Sequence, residues 1–415
     1  MKRILSLAVF ILLTTAAFAK LPTSVIVSNP SKNPKIDEPV VISLKEYGDI
    51  RSALVTIDGQ EIPCQLDDLD QDDIFDELCF LVNLQGKESK TYEIKLFDEG
   101  EPRPYPARVF AEMLIRNDKV KEKNKHNNFI ESITARGDCD NSYNIQHHHG
   151  VDFESELNGI RIYFDNRQTL DLYGKFQKRL ELEATQFYTQ PDQKAEGYGD
   201  DVLWVGNTFG LGAFRGWDGK EPTMIDPVRS RTQRIISYGP LRTIVELVDR
   251  GWQLSTVNSQ LSTVNMTIRY TQYAGHRDTD VDVFFNKNVA DRLFSTGIIN
   301  VKGSEEFSDK QGLRACWGTD WPSSDHENFK PETVGLGICI PMIYVKSEEP
   351  ANKDNYAFVV GTDNNHLSYK VIYCSDNESF GYHSPKEWFD FLKEWKQETE
   401  QRIYVCIVEE RCEGS

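Results

Sequence analysis

Three consecutive histidines, His147 to His149, precede two acids in this 415-residue sequence. A histidine exchanges a proton near neutral pH, and a neighbouring carboxylate can orient its ring. Successive side chains of a strand point to opposite faces, so at most two of the three histidines converge. The segment could serve acid–base chemistry, bind a metal, or form a polar rim without a function. Its candidate catalytic residues are His148, His149, Glu154, Glu156 and Tyr163.

The segment that follows alternates apolar and polar residues with the period of a strand. Ile160, Ile162 and Phe164 alternate with polar residues, and Leu170 and Leu172 do so after a polar turn. This pattern predicts a β-hairpin with one buried face. The other face then carries Arg161, Tyr163 and Asp165 beside Asp171, Tyr173 and Lys175. That face is either an ordinary solvated surface or a ligand site in which Arg161, Asp171 and Lys175 contact the ligand.

Glycines and tryptophans are concentrated between residues 197 and 218. Glycine lets the backbone approach a ligand closely, an indole ring can stack on the apolar face of a sugar, and a carboxylate can accept hydrogen bonds from sugar hydroxyls. No glycine-rich phosphate loop opens a helix, so a nucleotide site is not indicated. The candidate sugar-binding residues here are Asp201, Trp204 and Trp217. Trp321, beside Asp320, fits the rim of the same cleft and the protein core equally well.

Arg229, Arg231 and Arg234 form a basic group in a chain with a formal net charge of −18. A guanidinium binds a carboxylate through two parallel hydrogen bonds. Arg229 and Arg231, on one side of an extended segment, are therefore candidates for binding a uronic acid. The alternative is that these arginines only balance acids on the protein surface.

A run of acids between residues 68 and 77 places carboxylates at alternate positions, as calcium-binding loops do. Asp68, Asp70 and Asp72 are the candidate metal ligands, and Ca²⁺ is the one cofactor that we name from the sequence. The EF-hand pattern is not met, because Asp73 stands at its glycine position and Cys79 at its final glutamate position. A solvated acidic loop without a metal is the alternative.

Strand patterns dominate the chain, and helical patterns are few. Residues 20–100 predict a small N-terminal β-unit, and a proline-rich linker at 100–106 separates it from residues 101–415, a large β-domain that carries the candidate site. The expected strands of the small unit lie near residues 24–28, 40–44, 53–57, 79–82 and 92–96, and one more is expected near 402–408. The clearest helix signal is a capping box at Ser384 with Pro385 after it. The predicted fold class is therefore mainly β.

Residues 1–19 have the order of a secretory signal, with Lys2 and Arg3, an apolar run, and small residues up to Ala19. Cleavage after Ala19 would place the mature protein in the periplasm or outside the cell. No later stretch reaches the roughly 20 apolar residues of a membrane-spanning helix. The balance of 65 acids to 47 bases argues against general nucleic-acid binding. Eight cysteines in an exported chain permit disulfides, whose pairing the sequence leaves open.

Several blocks, in order along the chain, resemble a family common in Bacteroidetes and catalogued as domain of unknown function 4861. The blocks are His148-His149-Gly150 with Glu154-Ser155-Glu156, Arg161 to Asp165, Asp171 to Lys175, Asp201 to Leu203 with Val205-Gly206, and Gly210 to Phe214. Asp58 to Glu61, Gln65 and Asp76 to Leu78 resemble its N-terminal β-unit. The resemblance implies a galactose-mutarotase-like β-supersandwich with a small N-terminal β-sandwich unit. It also implies a polysaccharide-utilisation setting, often beside pectin- or uronate-processing enzymes.

Together, these patterns predict an exported carbohydrate-active protein whose substrates are acidic, uronate-containing, pectin-like oligosaccharides. A lyase, a hydrolase and an epimerase all fit, and the sequence does not decide whether the protein is an enzyme. The alternatives are a non-catalytic carbohydrate-binding protein and a structural envelope protein. Both carbohydrate hypotheses depend on one expectation, that His149, Trp217 and Arg231 face a common hollow in a curved β-scaffold. The sugar, the linkage and the oligomeric state are left open.

Overall fold

The computed structural model describes residues 19–116, 128–255 and 261–409, and the predicted signal peptide lies outside these residues except for Ala19. The described chain is mainly β-sheet with few helices, so the predicted fold class is confirmed. Its named strand pairs are antiparallel. Within the described residues, no helix is both long enough and apolar enough to cross a membrane.

A sandwich of two small sheets forms the N-terminal unit. Its strands are β1 (Ala19–Ser28), β2 (Lys35–Ser43), β3 (Ser52–Ile57), β4 (Gln60–Ile62), β5 (Cys64–Asp67), β6 (Glu77–Leu84) and β7 (Ser89–Phe97). Strands β2, β6 and β5 pair in one sheet, and β1, β7, β3 and β4 pair in the other. Val25, Val40 and Phe80 have no exposed surface and pack between the two sheets. The five strands expected in this unit are all present.

Two layers of sheet form the large unit. Its strands are β8 (Val109–Glu112), β9 (Ser132–Arg136), β10 (Gly150–Ser155), β11 (Gly159–Tyr163), β12 (Leu170–Gly174), β13 (Asp200–Asp201), β14 (Arg215–Trp217), β15 (Pro222–Thr223), β16 (Ser230–Ser237), β17 (Arg242–Ser255), β18 (Leu261–Tyr273), β19 (Asp278–Phe285), β20 (Phe294–Ile299), β21 (Glu305–Ser308), β22 (Leu313–Asp320), β23 (Glu332–Cys339), β24 (Val345–Glu348), β25 (Asn355–Val360) and β26 (His366–Ser375). One layer is a sheet of nine strands, in the order β21-β22-β23-β26-β19-β18-β17-β16-β9. The other layer consists of two five-stranded sheets, β13-β12-β11-β10-β8 and β15-β14-β20-β25-β24. One apolar core lies between the layers.

The α-helices of the described chain are α1 (Leu182–Thr185), α2 (Pro191–Ala195) and α3 (Pro385–Glu400), and a short 3-10 helix spans Ser142–Ile145. Helix α3 begins where its capping signal predicts, because the Ser384 side chain accepts the N–H of Glu387 and Pro385 occupies the first turn. The residues of α3 that are buried against the nine-stranded sheet are Trp388, Leu392 and Trp395. The aromatic stripe of this helix is therefore a packing face.

The last described strand, β27 (Tyr404–Glu409), belongs to the N-terminal unit. It pairs antiparallel with β1 and places Cys406 opposite Ile26. The division of the sequence at residue 101 assigned this strand to the large domain, because a local strand pattern carries no information about the pairing partner. The two ends of the described chain thus lie side by side in one sheet.

The seven described cysteines are free thiols, and Cys412 lies outside the described residues. The disulfides that the sequence permits are therefore not formed among these seven. Burial raises the pKa of the Cys79 and Cys316 thiols to about 12. Such thiols are protonated and serve as small apolar packing residues.

A buried guanidinium joins the two units. Arg242 of β17 donates to Asp67 over 2.8 Å and to Glu77 over 2.7 Å, and both acids belong to the N-terminal unit. Gln65 donates to the carbonyl of Arg242 over 3.0 Å and accepts its backbone N–H over 3.0 Å. The side chains of Arg242 and Asp67 are only 3% and 1% exposed. Charged side chains that are buried away from water and paired with one another thus hold the boundary between the units.

Replacing Arg242 by alanine should lower the free energy of unfolding by roughly 3–5 kcal/mol, because Asp67 would stay buried without its cation. Unfolding in denaturant, followed by tryptophan fluorescence, measures the change. Arg250 lies on the same strand with an exposed side chain, and Arg250→Ala should change stability by less than about 0.5 kcal/mol. Equal losses in the two variants would contradict a special role for the buried pair.

Candidate functional site

Four charged side chains form a row across the sheet of β8 and β10–β13. Glu112 of β8 lies opposite Asp152 of β10. Asp152 in turn lies opposite Arg161 of β11, which lies opposite Asp171 of β12. Opposed residues of neighbouring strands share a face, so the four side chains are neighbours. The predicted hairpin is therefore present, in the register that places Arg161 beside Asp171, and the whole charged row is buried.

The alternation along these strands explains why the charged row faces away from the core. Phe153 and Ile162, next to the row residues in the sequence, are fully buried in the core between the layers. Gly150 begins β10, where a Cβ atom would lie 1.7 Å from the carbonyl oxygen of Ile162. Only glycine therefore allows β10 and β11 to pair at this point.

A segment containing α1 covers the charged row on its outer side. Leu182 and Phe187 of this segment have no exposed surface. The guanidinium carbon of Arg161 lies 4.1 Å from the centroid of the Phe187 ring. Stacking on an aromatic ring is a favourable environment for a cation that has lost its water.

Arg161 is the centre of a hydrogen-bond network. It donates to the carboxylate of Asp171, and its Nη2 lies 3.4 Å from a carboxyl oxygen of Asp201. It also donates to the hydroxyls of Tyr163 over 3.1 Å and Tyr188 over 3.2 Å. Burial raises the pKa of the Asp201 carboxyl well above its ordinary value, and the negative charge of Asp171 raises it further. Asp201 thus keeps its proton at a pH where most aspartic acids have lost theirs.

An aromatic rim borders this network on the solvent side, and we define it as the partly exposed residues Tyr143, His149, Tyr163 and Tyr188. The rings of His149 and Tyr163 are nearly parallel, with centroids 6.0 Å apart. Tyr143 meets His149 edge-on at 5.3 Å. Arg167 lies 4.7 Å from the centroid of Tyr163 and donates to its neighbour Asp165 over 2.6 Å. The rings of the aromatic rim and the guanidinium of Arg167 thus lie together at the protein surface.

His149 has a backbone φ of 72°, which a residue with a side chain seldom adopts. Its carbonyl accepts the backbone N–H of Phe164 over 2.9 Å, which holds the turn against the hairpin. Burial lowers the pKa of the His149 imidazole to about 4, and the positive charge of Arg161 lowers it further. The ring is therefore neutral at pH 7 and able to accept a proton.

His148 is fully buried between the two acids at one end of the charged row. Its Nε2 atom lies 3.6 Å from Oε1 of Glu112 and 3.4 Å from Oδ2 of Asp152. Burial raises the pKa of both carboxyls well above their ordinary values and lowers that of the imidazole well below its own. All three side chains could hold a metal ion, because one ligand atom from each lies within 4.8 Å of the others.

Glu154 and Lys175, both predicted site residues, attach the covering segment to the sheet. Glu154 accepts the backbone N–H groups of Glu181 over 2.8 Å and Leu182 over 2.7 Å. Lys175 donates to Glu154 and to the carbonyls of Ser155 and Arg179. These contacts use the three protons of the ammonium group and both oxygens of the carboxylate. Neither side chain therefore presents a free polar atom to a substrate.

Glu156, the other acid proposed from the sequence, lies at the boundary with the N-terminal unit. It accepts from Arg108 over 2.6 Å and from the backbone N–H of Gly275 over 2.8 Å. Arg108 also donates to Asp37 of the small unit over 2.8 Å. This acid thus contributes to the contact between the units, away from the charged row.

The two predicted arginines differ in environment. Arg229 is exposed just before β16, and its capture of a uronic acid stays a prediction. Arg231 is buried, pairs with Asp249 over 3.0 Å and donates to the carbonyl of Ile225 over 2.6 Å. Asp249 also accepts from Gln168, next to Arg167 of the hairpin turn. Arg231 therefore supports this turn from inside the protein. Its guanidinium contacts Asp249 and Ile225, so it does not face the common hollow that was expected for Arg231, His149 and Trp217.

The three predicted tryptophans lie on different elements. Trp204 is 54% exposed and follows Asp201 by three residues, so it is close to the network along the chain. Trp217 is partly exposed on β14, opposite Pro222, in the second five-stranded sheet. Trp321 stacks on His326 with ring centroids 3.9 Å apart. Their role as sugar platforms stays a prediction.

The acidic loop between β5 and β6 brings Asp68, Asp70 and Asp76 together. The predicted third ligand, Asp72, instead accepts the backbone N–H of Ile74 over 2.9 Å. Asp68 accepts three backbone N–H groups of the same loop. Through these hydrogen bonds, Asp68 and Asp72 stabilise the backbone of the loop. Calcium binding here stays a prediction.

A cavity of about 1010 Å³ lies apart from the aromatic rim, between the N-terminal unit, the nine-stranded sheet and α3. Its charged residues pair with one another, as Lys370 does with Asp278 over 2.8 Å and His366 with Asp282 over 2.8 Å. No site residue proposed from the sequence lines this cavity. Its polar groups are thus largely satisfied within the protein.

The sequence hypotheses missed Glu112, Asp152, Arg167 and Tyr188. Asp152 alternates with Glu154 on one face of β10, so the period of two could have identified it. Arg167 stands in the polar turn of the predicted hairpin. Glu112 and Tyr188 come from segments whose neighbours are defined only by the folded chain, and no local signal marks them.

Comparison with solved structures finds several similar chains, among them two bacterial proteins. A protein in the glycosyl hydrolase family 38 from Enterococcus faecalis aligns with a TM-score of 0.50 and 9% identity, over 94% of this chain and 48% of that chain. An alpha-mannosidase from Enterococcus faecalis V583 aligns with a TM-score of 0.47 and 10% identity, over 94% of this chain and 46% of that chain. This chain thus spans about half the length of either protein, and the first likeness concerns the fold alone. No curated protein matches this chain.

A family model covers most of the chain. The model described as Domain of unknown function (DUF4861) matches residues 27–405, which include the charged row, the aromatic rim and both layers of the large unit. The match agrees with the resemblance carried by the blocks around His148, Arg161 and Asp171. The chain therefore belongs to the family Domain of unknown function (DUF4861).

Proposed function

We propose that this protein is an exported carbohydrate-active protein that acts on acidic oligosaccharides at the aromatic rim. The observation that carries the proposal is the position of Arg161, which links Asp171 and Asp201 to the hydroxyls of Tyr163 and Tyr188. Carboxyl groups beneath partly exposed rings suit a sugar, because a pyranose has apolar C–H faces and a polar edge of hydroxyls.

The reaction classes that fit the proposal are elimination, hydrolysis and epimerisation, and each moves protons. Each needs a group that accepts a proton from the sugar or from water and a group that donates one. His149, partly exposed in the rim, is placed to accept. Asp201, which holds its proton and keeps 18% of its side chain exposed, is placed to donate to a leaving oxygen. The network thus contains both partners.

Preference for an acidic sugar is supported by Arg167. Its side chain is 21% exposed, and its guanidinium lies against the rings of Tyr143 and Tyr163 and is oriented by Asp165. A planar guanidinium held over aromatic rings can bind a carboxylate through two hydrogen bonds. We assign to Arg167 the carboxylate-binding role that the sequence hypothesis gave to Arg229 or Arg231.

The proposal is tested by incubating the purified mature protein with pectic and other uronate oligomers. Absorbance of an unsaturated product, reducing ends and anomeric ratio are recorded for each oligomer. We expect His149→Ala to lower turnover about 100-fold to 10,000-fold. His383→Ala, which changes a surface histidine before α3, should leave turnover unchanged. Binding without any turnover would make the protein a sugar-binding protein, and absence of both would reject the proposed site.

A pH profile tests the role of Asp201. Because its pKa is raised, the proton needed by the leaving oxygen is present at low and moderate pH and is lost as the pH rises through that value. We expect kcat/KM to fall on the alkaline side of the profile. In Asp201→Asn this alkaline limb should disappear, together with most of the activity. Asp192→Asn, an exposed change in α2, should keep the native profile. An unchanged alkaline limb in Asp201→Asn would exclude this residue as the acid.

Calorimetry with matched acidic and neutral oligosaccharides tests Arg167. Arg167→Gln should weaken binding of the acidic ligand about tenfold or more, because a charge-assisted hydrogen bond contributes roughly 1.5–3 kcal/mol. Binding of the neutral ligand should change much less. Arg136 pairs with Asp138 as Arg167 pairs with Asp165, but on an exposed strand, and Arg136→Gln is the matched control. Equal loss for both ligands would refute a carboxylate-binding role.

A further inference from the structure

Glu112, His148 and Asp152 meet in a part of the sheet that solvent does not reach. Their positions are set by the backbone, because Glu112 and Asp152 are directly opposed on β8 and β10 and His148 stands just before β10. Neither the fold nor the proposed action on sugars accounts for two acids and an imidazole at this place. Three groups that commonly bind metals thus converge on one point.

The distances between these groups match the geometry of a metal centre. Nε2 of His148 lies 3.6 Å from the oxygen of Glu112 and 3.4 Å from that of Asp152. A tetrahedral ion with ligands at about 2.0–2.2 Å has ligand atoms about 3.3–3.6 Å apart. The side chains therefore need little movement to share one ion.

The polar side-chain atoms of His148 and Asp152 lack hydrogen-bond partners within the described part of the chain. This holds for both ring nitrogens of His148 and for both carboxylate oxygens of Asp152. Both residues are completely buried. Proteins pair nearly all such atoms, since a buried polar atom without a partner costs free energy. A bound cation would supply the missing interactions.

The charge of the surroundings also favours a cation. In the charged row, Arg161 is paired with Asp171, and Glu112 and Asp152 lie beyond it on the neighbouring strands. A doubly charged ion between Glu112 and Asp152 would compensate the charge of these two carboxylates, because the interaction between charges is strong where water is excluded.

We propose that Glu112, His148 and Asp152 bind one divalent transition-metal ion. One imidazole and two carboxylates are a ligand set of intermediate hardness, which suits Zn²⁺ and Mn²⁺, whereas Ca²⁺ and Mg²⁺ prefer oxygen ligands alone. The ion would fasten the histidine turn, and with it His149 of the aromatic rim, to two strands. This inference concerns the ion alone and does not depend on the carbohydrate proposal.

The test uses the full mature protein, dialysed against a chelator and then titrated with ZnCl₂ or MnCl₂ in a calorimeter, with CaCl₂ for comparison. We expect one Zn²⁺ per chain and a rise in the thermal midpoint that the chelator reverses. X-ray absorption of the zinc-loaded wild-type protein should show nitrogen and oxygen ligands with the outer-shell signal of a single imidazole and no sulfur. This measurement decides the ligand set without any variant.

Variants then locate the ion. Asp152→Asn and Glu112→Gln keep the shape of each side chain, and each should weaken Zn²⁺ binding by more than the roughly 10–100-fold that loss of a residue outside the ligand sphere costs. Asp70→Asn, in the exposed acidic loop, should leave the affinity unchanged. Circular dichroism shows whether each variant is folded.

Two results would overturn the proposal. One is a wild-type protein that takes up no stoichiometric metal after dialysis, or whose absorption spectrum lacks the imidazole signal. The other is a loss of Zn²⁺ binding in Asp70→Asn with none in a folded Asp152→Asn, which would place the ion in the acidic loop.

Discussion

A guanidinium held almost without water is the constraint on which the large unit depends. Arg161 stands on a strand whose neighbouring side chains, such as Ile160 and Ile162, are buried in the core. Its own side chain faces the covering segment, so its cost of desolvation has to be offset by carboxylate, hydroxyl and aromatic partners. Asp171, Tyr163 and Phe187 supply these three kinds of contact. The partners come from different elements, so the network forms only when all of them are in place.

Only one strand register therefore allows the buried charges to pair, and this pairing stabilises that register. A slip of one residue between β11 and β12 would turn Arg161 toward the apolar core and Ile162 toward the polar face. Both outcomes cost free energy, so the register is strongly determined. The pair of Glu154 and Lys175 acts in the same way, because the two side chains also hydrogen-bond backbone groups of the covering segment. The same polar face thus contributes to the fold and provides the proposed site.

The boundary between the two units is governed by the same principle. There, Arg242 forms hydrogen bonds with Asp67 and Gln65 in place of bonds to water. The last strand, β27, adds backbone pairing with β1. An interface of this kind allows one relative placement of the units, because each buried polar group requires one particular partner. The small unit is thereby fixed against the nine-stranded sheet, and the cavity beside α3 lies where the units meet.

The sequence by itself determined the strands, the hairpin and the helix cap, because these follow from patterns within about ten residues of each other, as at Ile160 to Leu172 and at Ser384. It also named Arg161, Tyr163 and Asp171, since alternation assigns side chains to faces, and it named His149 and Asp201 from their chemistry and their neighbours in the chain. Only the tertiary structure decided that Glu112 stands opposite Asp152, that Arg231 turns inward to Asp249, and that β27 returns to β1. The physical reason is that these contacts join segments far apart in the chain, and the periodicity of one segment carries no record of which distant segment will lie beside it.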